Sequence, residues 1–293
     1  MKMTNKKKSE WKKSAVAASF ILPSFLGFSL FSLFPMFSSF VLAFTKWDSF
    51  TPAKFIGLKN FERLIRDDTF WISLKNTILY TAGVVPLTLF FAMFFAIILN
   101  NKFLGNHFFR ISLFFPYITS LVAVAAVWNM LFHPTMGPIN HFLEQLMAHP
   151  PGWLTSSDWA LFTVVIVSVW RHTGYYMILY LAGLQTIPKE IYEDAEVDGA
   201  KGIKKHWYIT IPSLRPTTFL VMMILTINSF KIFDLIQVMT NGGLGRATNV
   251  LVFQIYKEAF VKFNFGYASA ISWVLFLIVL MVTIIQFRWN KKK

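Results

Sequence analysis

The feature that most constrains the fold is a series of apolar stretches, each about long enough to cross a lipid bilayer. They lie near residues 15–44, 74–99, 111–132, 160–183, 217–239 and 265–287. An α-helix needs about 20 apolar residues to span the hydrocarbon core. Only helices and closed barrels satisfy their backbone polar groups there. The sequence therefore predicts an all-α integral membrane protein with six transmembrane helices.

The charge content supports this fold class. Of the 293 residues, 55% are hydrophobic and 14% are charged, whereas soluble domains average about 25% charged residues. The formal net charge of +14 raises the question of a nucleic-acid partner. However, the basic residues cluster at the ends of the apolar stretches, as membrane topology predicts. We therefore expect contacts with membrane lipid and none with nucleic acid.

The first apolar stretch is predicted to be an uncleaved span. A secretory signal has an apolar segment of roughly 7–15 residues, whereas the stretch at 15–44 is much longer and lacks a clear small-residue cleavage site. Its long apolar length therefore favours a membrane helix that remains in the mature protein.

Lysine and arginine residues predict the orientation. They are concentrated in the N-terminal tail (1–14), the second and fourth connections and the C-terminal tail (288–293). These segments hold more basic residues than the first, third and fifth connections together. Basic connections lie on the cytoplasmic side of membrane proteins. We therefore predict that both termini and the fourth connection are cytoplasmic, with one transmembrane domain over 15–287.

A glycine-rich segment at 241–249 is predicted to be mobile.

The fourth connection, residues 187–212, is the longest strongly polar stretch between the first span and the C-terminal tail. Apolar or small residues recur in it every four positions, which predicts a stripe along one face of a helix. They are Ile187, Ile191, Ala195, Gly199, Ile203 and Trp207. Pro188 suits a helix start, and Gly199 permits a turn that a side chain would obstruct. We predict two short amphipathic helices joined at a glycine corner, outside the membrane.

Two interpretations of this loop are open from the pattern alone. It is either an amphipathic connector on the bilayer surface or a docking surface for a soluble partner. The positions off the stripe are mostly acidic, whereas a helix adsorbed on anionic lipid favours lysine and arginine. Lys201, Lys204 and Lys205 make the second half basic, so a partner would carry patches of both signs.

The sequence has no feature of an enzyme. It contains no G-x-x-x-x-G-K-[ST] loop for phosphate, no cysteine, and six histidines without metal-ligand spacing. No Ser/His/Asp constellation is visible. We therefore expect no catalytic residue, no metal and no cofactor in this chain.

Charged residues within the spans are more informative, because a charge at the bilayer centre costs on the order of 2.5–3.5 kcal/mol. Arg171 falls near the middle of the fourth span. Lys231 and Asp234 are three residues apart, which places them on one helical face where they can pair. These residues are expected to face a bundle interior or a wet cavity. They indicate either a structural ion pair between helices or a pathway for a solute.

Further polar and aromatic side chains occur in the same spans. They are Trp128, Asn129, Trp170, Tyr175, Tyr176 and Asn228. Aromatic faces with a few amides suit a polyhydroxylated solute. They suit helix packing and an aromatic belt equally well, so both interpretations are open for each residue.

The segment EDAEVDGAKGIKKHWYITIP at 193–212 resembles the "EAA" loop of permease subunits of bacterial ABC importers. The matching residues are Glu193, Ala195, Asp198, Gly199, Ala200, Ile209 and Pro212. Asp194 replaces the first alanine that follows the glutamate in that pattern, and Ile211 replaces a leucine. His206 stands where a large apolar residue is usual, with Trp207 beside it.

The resemblance extends along most of the chain. The segments FILPSFLGFSLFSLFPMFSSFVLAFTKWD, FFRISLFFPYITSLVAVAAVW and GYYMILYLAGLQTIPKEIYEDA are similar to the carbohydrate-uptake branch of that family. The N-terminal half looks like the first of the two permeases that these systems pair. The approach LAGLQTIP makes the match to the loop specific.

The resemblance implies a mechanism. An extracytoplasmic solute-binding protein would deliver a sugar to this subunit and a homologous second permease. Two cytoplasmic ATP-binding subunits, which hold ATP and Mg, would drive transport, and the loop would transmit their motion. The implied coupling residues are Glu193, Asp194, Ala195, Asp198, Gly199, Ala200, Lys204 and Trp207. Among these, Glu193 and Asp198 would fix the corner by capping or charge contacts.

The implied substrate is an oligosaccharide, and the protein would reside in the bacterial plasma membrane. Glycerol phosphate and other polyols are open alternatives, since Arg171 or Lys231 would suit a phosphorylated solute. The rival class is a stand-alone channel or secondary transporter, which inverted repeats or discontinuous helices would favour. A membrane anchor for a soluble complex is a third alternative, but it would leave Arg171, Lys231 and Asp234 without a role.

Overall fold

The computed structural model describes residues 2–101, 104–147 and 150–291. Residue 1 of the predicted N-terminal tail and residues 292–293 of the C-terminal tail therefore lie outside the described residues. The secondary structure of these described residues is mostly helical, with one two-stranded ladder. The chain forms two compact units. The first comprises the residues up to Arg66 together with Glu258–Trp273, and the second comprises Asp67–Lys257 and the residues from Val274 onwards.

The first unit begins with the apolar N-terminal helix. Helix α1 (Lys2–Phe28) continues through a π-helical turn (Ser29–Leu33) into α2 (Phe34–Leu42). Pro35 has no backbone N–H to donate within the helix, and the π-helical turn ends two residues before it. Strands β1 (Thr45–Lys46) and β2 (Lys54–Phe55) then form an antiparallel hairpin.

Helix α3 (Lys59–Arg66) closes onto this hairpin through a buried amide. The side chain of Asn60 donates to the carbonyl oxygens of Ala43 and Thr45 at 2.8 and 2.9 Å. Gly266 lies against the same Thr45 carbonyl, where a Cβ atom would overlap the oxygen. These contacts fix the hairpin on the unit.

The second unit contains the remaining helices. They are α4 (Asp68–Asn100), α5 (Asn106–Ile118), α6 (Leu121–Leu131), α7 (Pro138–Leu143), α8 (Ala160–Gln185), α9 (Lys189–Val197), α10 (Ile203–Lys205), α11 (Ile211–Ser213), α12 (Arg215–Phe230), α13 (Asp234–Met239) and α14 (Leu251–Tyr256). Helix α15 (Phe265–Lys291) starts in the first unit and ends in the second. A π-helical turn (His206–Thr210) joins α10 to α11.

Small residues allow close helix packing in the second unit, as is common in membranes. Gly83 in α4 faces Val165 in α8, and Gly183 in α8 lies against Thr217 in α12. The buried hydroxyl of Tyr80 in α4 donates to Ser168 in α8 at 2.8 Å. Helix α8 is therefore the central element of this unit.

The glycine-rich segment at 241–249 is tied to α4. The side chain of Asn76 donates to the carbonyl oxygens of Arg246 and Asn249 at 3.0 Å each. The backbone N–H of Leu251 donates to the hydroxyl of Thr77 at 3.0 Å. The prediction of a mobile loop from its glycine content did not anticipate these long-range hydrogen bonds, and the structure gives no support for it.

Each predicted span contains helix, but two are interrupted: 111–132 is divided between α5 and α6, and 217–239 is broken after Phe230. Among the described residues, three helices are long and apolar enough to cross a membrane: Val16–Leu42, Asp68–Asn100 and Phe265–Lys291. Two bent pairs would raise the number to five. These are α5 with α6, bent by 99°, and Ile203–Ser213 with α12, bent by 64°. Helix α8 has 26 residues, but Arg171 and His172 make its centre polar.

Candidate functional site

The polar loop at 187–212 forms two short helical segments, as the sequence predicted. Helix α9 starts after Pro188 and ends at the C-cap residue Asp198. Gly199 follows in the left-handed conformation, with φ +82°. Its N–H donates to the Glu196 carbonyl at 3.2 Å, and the next N–H, of Ala200, donates to the Ala195 carbonyl at 2.8 Å. This pair of bonds is a Schellman motif, in which glycine is the preferred residue.

The expectation that Glu193 and Asp198 fix this corner with their side chains is wrong. Both side chains are exposed, and neither forms a hydrogen bond or an ion pair with another described residue. The backbone bonds of the Schellman motif satisfy the helix end instead. The side chains of Glu193 and Asp198 are therefore exposed and, within the described part of the chain, unpaired; those of Asp194 and Lys204 are exposed too.

An ion pair holds the two helical segments together. The Lys205 ammonium lies 2.6 Å from a carboxylate oxygen of Glu196 and 4.9 Å from the ring centre of Tyr192. The Tyr192 hydroxyl in turn donates to Thr210 at 3.3 Å. The Lys205 ammonium holds the pKa of Glu196 below its usual range. Sequence analysis missed these three contacts, because they join residues that are 9 to 18 positions apart.

The large apolar side chains of the loop point away from the fold. Val197 is 88% exposed, Ile203 is 84% exposed and Trp207 is 66% exposed, whereas Ala195 is buried. The predicted stripe therefore faces inward only in part. Ala195 is buried, but Ile191 before the glycine corner is 42% exposed, and Ile203 and Trp207 beyond it are exposed as well. Val197 was not among the predicted coupling residues, because it lies off the stripe. Its position as a hydrophobic residue beside the glycine corner was a usable signal.

A polar and aromatic cluster lies where α8 crosses α5. Arg171 donates to the carbonyl oxygen of Tyr117 at 3.3 Å, and its guanidinium carbon lies 5.6 Å from the centre of that ring. Tyr175 stacks on Tyr117 with ring centres 4.4 Å apart. The Nε atom of Arg171 is buried and has no hydrogen-bond partner among the described residues. Sequence analysis missed Tyr117, although a tyrosine after Pro116 inside an apolar stretch was a usable signal.

The predicted residues Tyr176 and Asn228 extend this cluster to α12. The Tyr176 ring lies 5.0 Å from that of Tyr175, and the Asn228 amide donates to the Tyr176 hydroxyl at 3.5 Å. The structure thus brings together Arg171, Tyr175, Tyr176 and Asn228, with Tyr117 added. We call these five residues the central polar cluster.

Trp128 and Trp170 form a separate aromatic contact. Their rings meet edge to face at 5.3 Å, and Trp128 stacks on Phe132 at 5.1 Å. The side-chain oxygen of the neighbouring residue Asn129 is buried and, within the described part of the chain, has no hydrogen-bond partner. Among the described residues, no hydrogen bond or ring contact joins these three side chains to the central polar cluster.

The predicted pairing of Lys231 with Asp234 is wrong. Helix α12 ends at Phe230, Lys231 is its C-cap residue, and α13 starts at Asp234. Phe233 between them has φ −142° and ψ −58°. A spacing of three residues places side chains together only in a continuous helix. Both charged side chains are exposed, and no ion pair joins them.

Comparisons with known proteins agree with the predicted resemblance. The family model described as "Binding-protein-dependent transport system inner membrane component" matches residues 85–292. The sn-glycerol-3-phosphate transport system permease protein UgpA of Agrobacterium fabrum is 32% identical over 82% of this chain and 82% of its own length. The trehalose/maltose transport system permease protein MalF of Thermococcus litoralis is 31% identical over 96% and 95%.

A solved structure has the same fold. It is a bacterial alginate ABC transporter in complex with an alginate pentasaccharide-bound periplasmic protein. One of its chains matches 97% of this chain over 96% of its own length, with a TM-score of 0.86 and 20% sequence identity. The family match includes the polar loop and the central polar cluster. The chain therefore belongs to the inner-membrane components of binding-protein-dependent ABC transport systems.

Proposed function

We propose that this chain is one of two permease subunits of an ATP-driven sugar importer, and that its loop at 187–212 couples transport to ATP hydrolysis. The observation that carries the proposal is the arrangement of that loop. Its carboxylates and its large apolar side chains are exposed, while its backbone is held by a Schellman motif. A loop with this arrangement suits docking on a soluble partner better than adsorption on lipid.

The coupling role follows from rigidity. The Glu196–Lys205 ion pair and the Tyr192–Thr210 hydrogen bond join the two segments of the loop. A rigid element seated on an ATP-binding subunit transmits a rigid-body motion to the helices on either side, here α8 and α12. ATP and Mg would be bound by that partner. Glu193, Asp194, Asp198, Lys204 and Trp207 are exposed for the contact.

The proposed topology has six spans with both termini in the cytoplasm. The bent pairs account for two of these spans, and α8 is long enough for another. Its polar centre is tolerated if Arg171 faces protein or water instead of lipid. Discontinuous helices also occur in secondary transporters, so the bends do not separate the two classes. Membership of the family favours the importer.

The proposed substrate is an oligosaccharide that contacts the central polar cluster. Stacked tyrosines with an amide and a guanidinium offer aromatic faces and hydrogen-bonding groups for hydroxyls. The relative from Thermococcus litoralis is named for trehalose and maltose, which supports this class. Glycerol phosphate is the second candidate, because the Nε atom of Arg171 lacks a partner among the described residues and guanidinium binds phosphate well.

The test is to purify the tagged chain in mild detergent and to identify its companions by mass spectrometry. The proposal predicts an ATP-binding protein and a second, homologous permease. In vesicles, uptake should require ATP and a solute-binding protein that is loaded with sugar. A chain that purifies alone and moves solute without ATP would contradict the proposal and favour a secondary transporter or channel.

A further inference from the structure

A cavity lined mainly by positively charged side chains lies in the first unit. Its residues are distant in sequence from the polar loop. It has a volume of about 410 Å³ and is bounded by the β1–β2 hairpin, α3 and the start of α15. Four basic residues line it: Lys46, Lys54, Lys59 and Arg63. Asp48 contributes the one carboxylate of the lining. We call this cavity the basic pocket.

The carboxylates near the pocket do not balance its positive charge. One carboxylate oxygen of Asp48 accepts from the N–H groups of Phe50 and Thr51 and from the Thr51 hydroxyl, at 2.8–3.0 Å. Asp48 thus shapes the hairpin turn. Glu258 neutralises Arg63 at 3.5 Å and also binds Lys262 at 2.5 Å. The pocket lining therefore sets one carboxylate, that of Asp48, against three lysines, so positive charge remains in excess.

Lys46, Lys54 and Lys59 form no ion pair with another described residue. Lys46 and Lys54 are also direct partners across the two-stranded ladder, and like charges in that position destabilise a hairpin. The segment lies on the predicted outer side, where membrane proteins tend to have few basic residues. An anion supplied from outside the chain would compensate all three lysines.

The surroundings of the pocket indicate a macromolecular anion. Phe50 is 77% exposed, Phe55 is 79% exposed and Leu58 is 61% exposed, all within the same hairpin and its exit. A small anion would need only the lysines. Exposed aromatic and aliphatic side chains beside charged groups are typical of protein interaction surfaces.

We propose that the basic pocket receives aspartate or glutamate side chains of the extracytoplasmic solute-binding protein. The inference rests on the proposed function and on its membrane orientation. The lysines would steer the binding protein to the outer face by long-range attraction, and the apolar rim would hold it there. The basic pocket would thus be a docking point, separate from the central polar cluster.

Zero-length cross-linking tests the contact directly. The assembled transporter is mixed with the sugar-loaded binding protein and treated with a carbodiimide, which joins a lysine amine to a carboxylate without a spacer. We expect cross-linked peptides that join Lys46, Lys54 or Lys59 to acidic residues of the binding protein. Lys54→Arg keeps the charge and should keep docking, but it should lose the cross-link at this position.

Reversing the charge of one pocket lysine measures how much that lysine contributes to docking of the binding protein. Lys54→Glu should weaken docking about fivefold, the size expected for one exposed charge pair, and high salt should reduce the difference. Docking is measured from the concentration of binding protein that half-stimulates ATP hydrolysis. The matched control is Arg66→Glu, which makes the same charge change at the exposed end of α3, outside the pocket lining.

The outcomes separate this inference from the proposed function. If the binding protein stimulates the wild-type complex, and Lys54→Glu docks as well as Arg66→Glu, the inference is overturned and the function stands. If Lys54→Glu loses binding of inorganic phosphate with docking unchanged, the pocket binds a small anion and the inference is also overturned. A wild-type complex that no binding protein stimulates contradicts the proposed function itself.

Discussion

Gly174 in α8 lies directly against the carbonyl oxygen of Leu113 in α5, and a Cβ atom on Gly174 would overlap that oxygen. The backbones of the two helices are therefore in contact at this crossing. Arg171 and Tyr117, which lie three and four residues from Gly174 and Leu113, are joined by a hydrogen bond beside this close approach. Gly174 thus permits the close helix crossing at which Arg171 meets Tyr117.

Gly174→Ala should force the two helices apart, since backbone atoms leave no room for the methyl group. We expect a loss of about 1–3 kcal/mol of stability, the usual cost of overpacking, and weaker substrate uptake. The thermal melting of the purified complex measures the first effect. Gly83→Ala is the control, because its Cβ atom would meet a methyl group of Val165 at 3.0 Å, which a side chain can relieve. Equal melting temperatures for the two variants would contradict this explanation.

Substitutions of Gly199 test whether the corner of the polar loop is needed for coupling. Its φ of +82° disfavours residues with a Cβ atom, but no heavy atom lies within 4 Å of the Cβ position. Gly199→Val should therefore strain the backbone by about 1–2 kcal/mol and lower uptake relative to ATP hydrolysis, while membrane insertion is unchanged. Gly199→Asn should be milder, because asparagine tolerates the left-handed conformation. Uptake per ATP is the measurement, and a normal ratio in Gly199→Val would contradict the coupling role of the corner.

The Glu196–Lys205 ion pair predicts an acid-sensitive loop. The pKa of Glu196 is lowered from its ordinary value of about 4.5 by the Lys205 ammonium. A carboxyl group with a lowered pKa in the folded state stabilises the structure above its ordinary pKa, and this contribution is lost as the pH falls through the folded-state value. We therefore expect α9 to loosen below about pH 4.5. Hydrogen exchange of its backbone amides, corrected for the intrinsic rate, measures the loosening.

Glu196→Gln should remove that acid-dependent part of the exchange, because its side chain has no carboxyl group to protonate. Glu190→Gln is the matched control on the same helix. Glu190 is exposed and has no ion pair with another described residue. If Glu196→Gln loosens with acid as much as the wild type, the ion pair does not hold the loop.

A substitution of Arg171 tests whether this residue contacts the transported solute. Arg171→Gln should raise the concentration of solute at half-maximal uptake by about tenfold, as expected for the loss of one hydrogen bond to a charged group. Basal ATP hydrolysis should change little, since about four turns of α8 separate Arg171 from the loop. Asp234→Asn is the comparison, and it should leave both uptake and melting unchanged because Asp234 is exposed and lacks a partner among the described residues. Unchanged uptake in Arg171→Gln would remove it from the path.

Sequence analysis predicted the elements whose cause is local. The apolar stretches gave the long helices, and Gly199 gave the corner, because hydropathy and backbone freedom act within a few residues. It failed where a break or a distant contact decides the structure. Lys231 and Asp234 were expected on one helix, but the chain leaves the helix between them. Tyr117 joins Arg171 across 54 positions, and no periodicity in the sequence reports such a contact.

The most direct test of the coupling role is a cross-link from Val197 to an ATP-binding subunit. The chain has no cysteine, so Val197→Cys places a single thiol on an 88% exposed site of the loop. A thiol-specific photo-cross-linker at this position should give an adduct with the ATP-binding subunit, and the yield should change when ATP is added. Met136→Cys, on an exposed site in the predicted third connection, should give none. An adduct from Met136→Cys alone, or a Val197→Cys label that reacts only with lipid, would contradict the coupling role.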